Sequence, residues 1–133
     1  MNTLECWFRG LADINRLRIL NLLMQGELCG CDIQHVLGSK QSNVSRHLAY
    51  LRNCGLLQHR RHGYRVYYQL AKSVSVDHKL LFDYLAHALG REETFGADRK
   101  RLKAAIKSGA CTVSEWSPHD AAGNRTRLRM PQK

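Results

Sequence analysis

Acid is what the middle of this chain lacks. From Ile33 to Val76 there is no Asp or Glu, whereas Lys40, Arg46, Arg52, Arg60, Arg61, Arg65 and Lys72 are cationic. A stretch of one sign over such a length sets up a field that attracts a polyanion. Long apolar runs are missing as well. None approaches the roughly 18 residues needed to span a bilayer, so no membrane partner is expected. Met1 to Cys6 has neither the basic start nor the sustained apolar run of a signal peptide, and a cytoplasmic location is expected. Cysteine is sparse and odd in number: Cys6, Cys29, Cys31, Cys54 and Cys111. In that compartment these are expected to be reduced thiols, not a disulfide scaffold. Proline is confined to Pro118 and Pro131, inside a polar stretch, Ser117 to Lys133, that reads as disordered.

What is present is a 133-residue chain, 44% hydrophobic, with net charge +10. That suits one modest domain and a tail. Leu4, Phe8, Leu11 and Ala12 recur at helical spacing and predict a first helix, which also carries Cys6 and Trp7. Asp13 reads as the N-cap of a second helix, with Leu17, Ile19, Leu20, Leu22 and Leu23 inward and Gly26 at its end. A short third helix is expected from about Asp32 to Leu37, and a fourth from about Gln41 to Asn53, with Val44, Leu48 and Leu51 on its buried side. Two such helices across the turn Gly38-Ser39-Lys40 make a helix-turn-helix. Leu56 to Arg61 and Tyr64 to Leu70, either side of His62-Gly63, alternate as a half-buried hairpin and serve as a basic wing. A last helix, about Val76 to Leu89, aligns Leu80, Leu81, Tyr84, Leu85, Ala88 and Leu89 as a core face or a dimer seam. The expected architecture is mainly α with a small β-hairpin (α+β), a winged helix-turn-helix. The expected division is residues 1–92 as the DNA-binding and sensor domain and 93–133 as a basic, partly disordered tail, with a short helix from Asp98 to Lys107.

A helix that reads DNA needs short polar and basic groups near its start and apolar groups behind them. Gln41, Ser42, Asn43, Ser45, Arg46 and His47 meet the first need, and Val44, Leu48 and Leu51 the second. Gln and Asn pair with adenine and Arg with guanine, so base discrimination is chemically available. Arg60, Arg61, His62 and Arg65 would hold phosphates or the minor groove from the wing. RNA is the competing polyanion, with Tyr64, Tyr67 and Tyr68 as stacking groups. Those tyrosines fall on both faces of one hairpin, which favours double-stranded DNA.

Glu27-Leu28-Cys29-Gly30-Cys31-Asp32-Ile33 ends ten residues ahead of Asn43. In a regular helix the two thiols would point about 200° apart. Both reach one ion only if the first turn opens, and Cys31 is expected at the N-cap of the third helix, where turns fray. Thiolates select soft ions. Trivalent arsenic or antimony, satisfied by three sulfurs, suits so small a donor set better than zinc, which wants four ligands. Asp77, His78, Asp83 and His87 on the last helix do not have the spacing of a zinc set, and Asp83 with His87 reads as a local ion pair.

Gly10-Leu-Ala-Asp-Ile-Asn-Arg-Leu-Arg-Ile-Leu20, Glu27-Leu-Cys-Gly-Cys-Asp-Ile33, Val44-Ser-Arg-His-Leu48, Leu51-Arg-Asn-Cys-Gly-Leu-Leu57 and Gly63-Tyr-Arg-Val-Tyr-Tyr68 together resemble the ArsR/SmtB metalloregulatory repressors. The Glu-Leu-Cys-x-Cys-Asp run looks like their arsenic-responsive branch. The resemblance implies a homodimer joined through its first and last helices, bound to an inverted-repeat operator of an arsenic-resistance operon and released by arsenite, with antimonite as a second inducer. It also implies a third cysteine at the position held here by Gln34. The missing sulfur would come from Cys6, as in relatives that bring N-terminal cysteines across the dimer, from Cys111, or from an exogenous thiol. Cys54 is expected to be a packed small residue, and Ser39 to cap the fourth helix where Lys40 replaces a serine. Two other functions fit the thiols. One is a redox or persulfide switch on the same DNA reader. The other is a thiol-disulfide exchange enzyme, against which the chain has no C-x-x-C beside a βαβ pattern; a non-enzymatic role is expected.

Overall fold

The computed structural model describes residues 3–72 and 75–108. Helix α1 (Thr3–Leu11) runs into α2 (Ile14–Leu23) through Asp13, whose extended backbone lets its carboxylate accept the N–H groups of Asn15 and Arg16 at 2.8 and 3.2 Å. Burial alone would raise this carboxyl's pKa, but those two N–H groups, with the charges of His47 and Arg16, hold it below its usual value. The second half of α2 is buried all round, from Ile19 to Leu23, so this helix is the axis of the core.

After Gly26 the chain forms a two-residue strand, β1 (Leu28–Cys29), then α3 (Gly30–Leu37) and α4 (Gln41–Asn53). Gly38, at φ 68°, supplies the left-handed residue that ends α3 and lets α4 start three residues later. Val44, Leu48 and Leu51 pack inward from α4, as the apolar spacing requires. Strands β2 (Leu57–His62) and β3 (Arg65–Leu70) follow, paired antiparallel from Leu57 with Leu70 to His62 with Arg65. The sheet is larger than the expected hairpin. β1 adds to the free side of β3, Leu28 opposite Tyr68 and Cys29 opposite Tyr67, giving the order β1-β3-β2.

Helix α5 (Val76–Gly90) splits its apolar face. Leu85 and Leu89 are buried, whereas Val76, Leu80 and Tyr84 face outward, as do Leu4 and Phe8 of α1. Asp83 is paired with Lys79 at 3.2 Å, one turn back, and not with His87.

The boundary expected at residue 92 is not where the domain ends. Helix α6 (Glu93–Ser108) packs on α2 and α3, burying Phe95, Leu102 and Ala105. Its polar contacts are as specific as its apolar ones. Asn21 of α2 donates to the Phe95 carbonyl at 3.0 Å and accepts from Arg99 at 2.7 Å. Asp98, with no exposure, is held by Arg18 at 2.7 Å and by Arg101. The hydrogen bond to Asp98 raises the Arg18 pKa against the opposing effect of burial. The remainder of the expected tail, including Cys111, lies outside the described residues.

Candidate functional site

The polar start of α4 is presented to solvent. Gln41, Ser42, Ser45 and Arg46 are exposed and Asn43 half-exposed, while Gln41 donates to Ser45 Oγ at 3.1 Å along the same face. Lys40 is the N-cap residue and makes no side-chain cap bond, so Ser39 does not take the role expected of it. The Asn43 N–H donates to the Lys40 carbonyl at 3.0 Å, so it is the Gln41 and Ser42 amides that stand at the open end of α4.

His47 does not belong to this face. It is buried against α2, with Arg16 Nη1 3.3 Å from its Nδ1. Burial lowers its pKa; Asp13 opposes that effect, and Arg16 and Arg46 add to it. The same Arg16 donates to the Gly10 and Arg9 carbonyls at 2.8 and 3.0 Å and stacks over Tyr50, so α1, α2 and α4 share one cationic brace. On the wing, Arg61 and His62 are exposed and Arg65 is half-buried over the Tyr64 ring. Arg60 is different: its Nε meets Glu27 at 3.0 Å, tying β2 to the residue just before β1.

The thiol pair sits at the joint between strand and helix. Cys29, not Cys31, is the N-cap of α3, and its sulfur accepts the Cys31 N–H at 3.4 Å. Cys29 is buried beside Tyr67, and Cys31, one residue into the helix, is exposed. Burial pushes the Tyr68 phenol up; Arg52 opposes this and nearby Cys29 adds to it. A helix N-terminus favours negative charge, which suits a thiolate ligand at this position. Beside the pair a cavity of about 490 Å³ opens between α3, α4 and β3. Among the described residues no group of three or more His, Cys, Asp or Glu side chains could hold a metal ion; Cys31 is itself disulfide-bonded, so the structure places Cys29 and Cys31 at one joint but does not present them as a pair of thiols.

Cys6 is placed elsewhere. It forms a disulfide with Cys54, with Cα atoms 5.5 Å apart, and Cys31 is disulfide-bonded as well, so the expectation of reduced thiols does not match the structure; Cys54 is packed in the core as expected, but as half of a bridge. Two further contacts converge on this end of α4. Trp7 Nε1 donates to the Cys54 carbonyl at 2.9 Å, and His78 Nε2, on α5, lies 3.0 Å from the Gly55 carbonyl. The rings of Trp7 and His78 meet edge-on at 4.7 Å, a contact between α1 and α5 that no local spacing announces. The bridge closes a loop with a sequence separation of 48, and such a cross-link stabilises a fold by about 2–4 kcal/mol. Dithiothreitol should lower the melting temperature of the oxidised protein by on the order of 10 °C. Cys54→Ser should remove the share of that sensitivity due to this bridge, Cys31 being in another disulfide, and a wild-type melting curve indifferent to reductant would show that the bridge contributes nothing.

A bacterial regulatory protein model, the arsR family, matches residues 13–59. The homodimeric winged helix-turn-helix DNA-binding domain of a possible ArsR-family transcriptional regulator from Mycobacterium bovis superposes with a TM-score of 0.57 at 31% identity, over 68% of this chain and 82% of that one. The chain belongs to the ArsR family. This ArsR-family chain also resembles HlyU from Vibrio cholerae, with a TM-score of 0.57 at 30% identity over 65% of this chain and 90% of that one. The arsenic resistance transcriptional regulator ArsR1 of Pseudomonas putida is 47% identical over 68 residues, which are 50% of this chain and 53% of the relative. The chain spans about half the length of the curated relatives it matches.

Proposed function

We propose that this ArsR-family protein is a homodimeric, DNA-binding transcriptional repressor, and not an enzyme, that leaves its operator when trivalent arsenic binds Cys29 and Cys31. The observation that carries the reading is the position of Cys29. Its sulfur caps α3, the helix that supports α4, and its backbone pairs with Tyr67 of the wing strand. An ion drawing Cys29 and Cys31 together displaces the cap bond and pulls on both elements that face DNA. The name of ArsR1 supports arsenic as the inducer. Antimonite would act through the same sulfurs.

DNA contact falls to Gln41, Ser42, Asn43, Ser45 and Arg46 on α4 and to Arg61, His62 and Arg65 on the wing. Arg60, engaged with Glu27, and His47, buried behind α4, shape the surface without forming it. The inverted repeat requires two copies, and the outward apolar faces of α1 and α5 are where they meet. Phe8 is 62% exposed and Leu80 61% exposed, more than a lone surface would keep in one band. Leu80→Glu should convert the dimer to monomer in sedimentation velocity and weaken operator binding by about a hundredfold or more, since half-sites then bind singly. A dimer unaffected by this change would move the seam elsewhere.

The deciding experiment is fluorescence anisotropy of labelled DNA from upstream of the protein's own gene, bound by reduced protein and titrated with arsenite. Release near one equivalent per site, without release by zinc, is expected. Binding undisturbed by arsenite would retain the repressor and discard the inducer. The Cys6–Cys54 bridge then favours a second reading, in which oxidation sets DNA affinity through the link between α1 and the end of α4.

A further inference from the structure

Charge on α6 follows a pattern that the other surface helices avoid. On α1 the exposed Glu5 and Arg9 pair one turn apart at 3.2 Å, and on α5 Lys79 and Asp83 do the same. Opposite charges at that spacing support a solvated helix, and like charges weaken it. On α6 the exposed Lys100, Lys103 and Lys107 succeed one another at three- and four-residue spacing. Asp98, the last acid of the helix, is buried and held by Arg18 and Arg101, so it offsets none of the three. The helix dipole favours cations only in the last turn, which accounts for Lys107 alone. A row of like charges that weakens its own helix suits a surface that meets a polyanion.

Resting on the DNA-binding reading above, we infer that this face of α6 holds the phosphate backbone of duplex DNA flanking the half-site that α4 reads. Its place in the fold joins it to that interface. Helix α6 packs on α3, and Arg101 Nε donates to the Val36 carbonyl at 3.4 Å, in the last turn of α3. Five residues after Val36, α4 begins at Gln41. Arg101, itself exposed, and Lys40 at the N-cap of α4 continue the positive charge from α6 to the helix-turn-helix. Beside Lys100 and Lys103 the surface dips into a cavity of about 350 Å³, whose other walls are Gln25, Gly96 and Arg99. Every polar side chain in that lining can donate a hydrogen bond and none is acidic, which is the chemistry a phosphate group needs. Contacts of this kind add affinity and fix register without reading bases.

The test is fluorescence anisotropy of the full-length protein, as wild type and with Lys100→Gln, Lys103→Gln and Lys107→Gln combined. Two labelled duplexes from upstream of its own gene are compared, one trimmed to the inverted repeat and one extended by a helical turn on each side. Wild type should bind the extended duplex about tenfold more tightly, and the variant should gain less than about twofold. On the extended duplex the slope of log affinity against log salt should be shallower by about 5 in the variant, because a dimer then loses six phosphate contacts. Glutamine keeps helix propensity, so the two proteins should melt alike. Lys100→Arg with Lys103→Arg and Lys107→Arg keeps the charge and should keep the gain. An equal gain in wild type and the glutamine variant would overturn the inference and leave the repressor standing, since a longer duplex alone would explain it. In that case co-sedimentation of wild type, but not the variant, with phosphatidylglycerol vesicles would assign the face to an anionic membrane. A variant weakened to the same degree on both duplexes would place the lysines inside the half-site and overturn the flanking contact. If neither duplex binds wild type, the DNA reading falls and this inference with it.

Discussion

Cys29→Ser should bind operator DNA as wild type does and lose its release by arsenite, with the arsenite midpoint in the anisotropy titration rising at least about a hundredfold, equivalent to ~2.7 kcal/mol. Serine isolates the chemistry because it preserves the structural duty of the residue. At the N-cap of α3 the Cys29 sulfur accepts the Cys31 N–H, and a serine hydroxyl at the same position accepts that bond at least as well. What serine cannot supply is a soft anionic donor. Cys29→Ala loses both functions and should also melt lower by the worth of a cap, about 1 kcal/mol. Cys31→Ser should copy the arsenite defect in the reduced protein, whereas in the oxidised protein it also removes the disulfide that Cys31 makes. If arsenite releases Cys29→Ser at the wild-type midpoint, the inducer does not act through this thiol.

Elements whose signals are local could be read from the chain. Helix α4 runs from Gln41 to Asn53 as its apolar spacing and flanking glycines require, and α5 begins at Val76 as expected. The place of Cys29 and Cys31 at the start of α3 and the outward residues of α4 were legible for the same reason, because their spacing sits within ten or so residues. What could not be read depends on partners far away in sequence. Strand β1 is two residues long and has no periodicity of its own; it exists because β3 offers a free edge. The pairing of Arg60 with Glu27 and of Cys6 with Cys54 likewise joins segments that nothing local connects. His47 is a partial exception. It lies three residues after Val44 and four before Leu51, on the buried stripe, so helical spacing alone could have assigned it to the interior. Helix α6 was expected only as a short helix from Asp98 to Lys107, and its packing was hidden by its charge: a basic stretch reads as solvated, and the residue at the centre of its buried face is Asp98.

That aspartate makes the role of α6 testable. Asp98→Ala should destabilise the protein by about 3–5 kcal/mol, because it strands the guanidinium groups of Arg18 and Arg101 at a buried contact. Asp98 itself is wholly buried, whereas Arg18 is partly and Arg101 more fully exposed, so water can rescue Arg101 better than Arg18. The penalty therefore concentrates on Arg18, which sits on α2, the axis of the core. Urea unfolding followed by circular dichroism should show a lower midpoint in a single transition if α6 unfolds with the rest of the domain. Removing both partners separates the pair from the packing. Asp98→Leu with Arg18→Met leaves no buried charge, and it should recover most of the lost stability if Phe95, Leu102 and Ala105 hold the helix in place. Had α6 been a solvated basic extension, Asp98→Ala would leave the midpoint within about 0.5 kcal/mol of wild type, as surface changes do. The same variant should also weaken operator binding near its melting range, since α6 packs on α3 and α3 supports the helix that faces DNA.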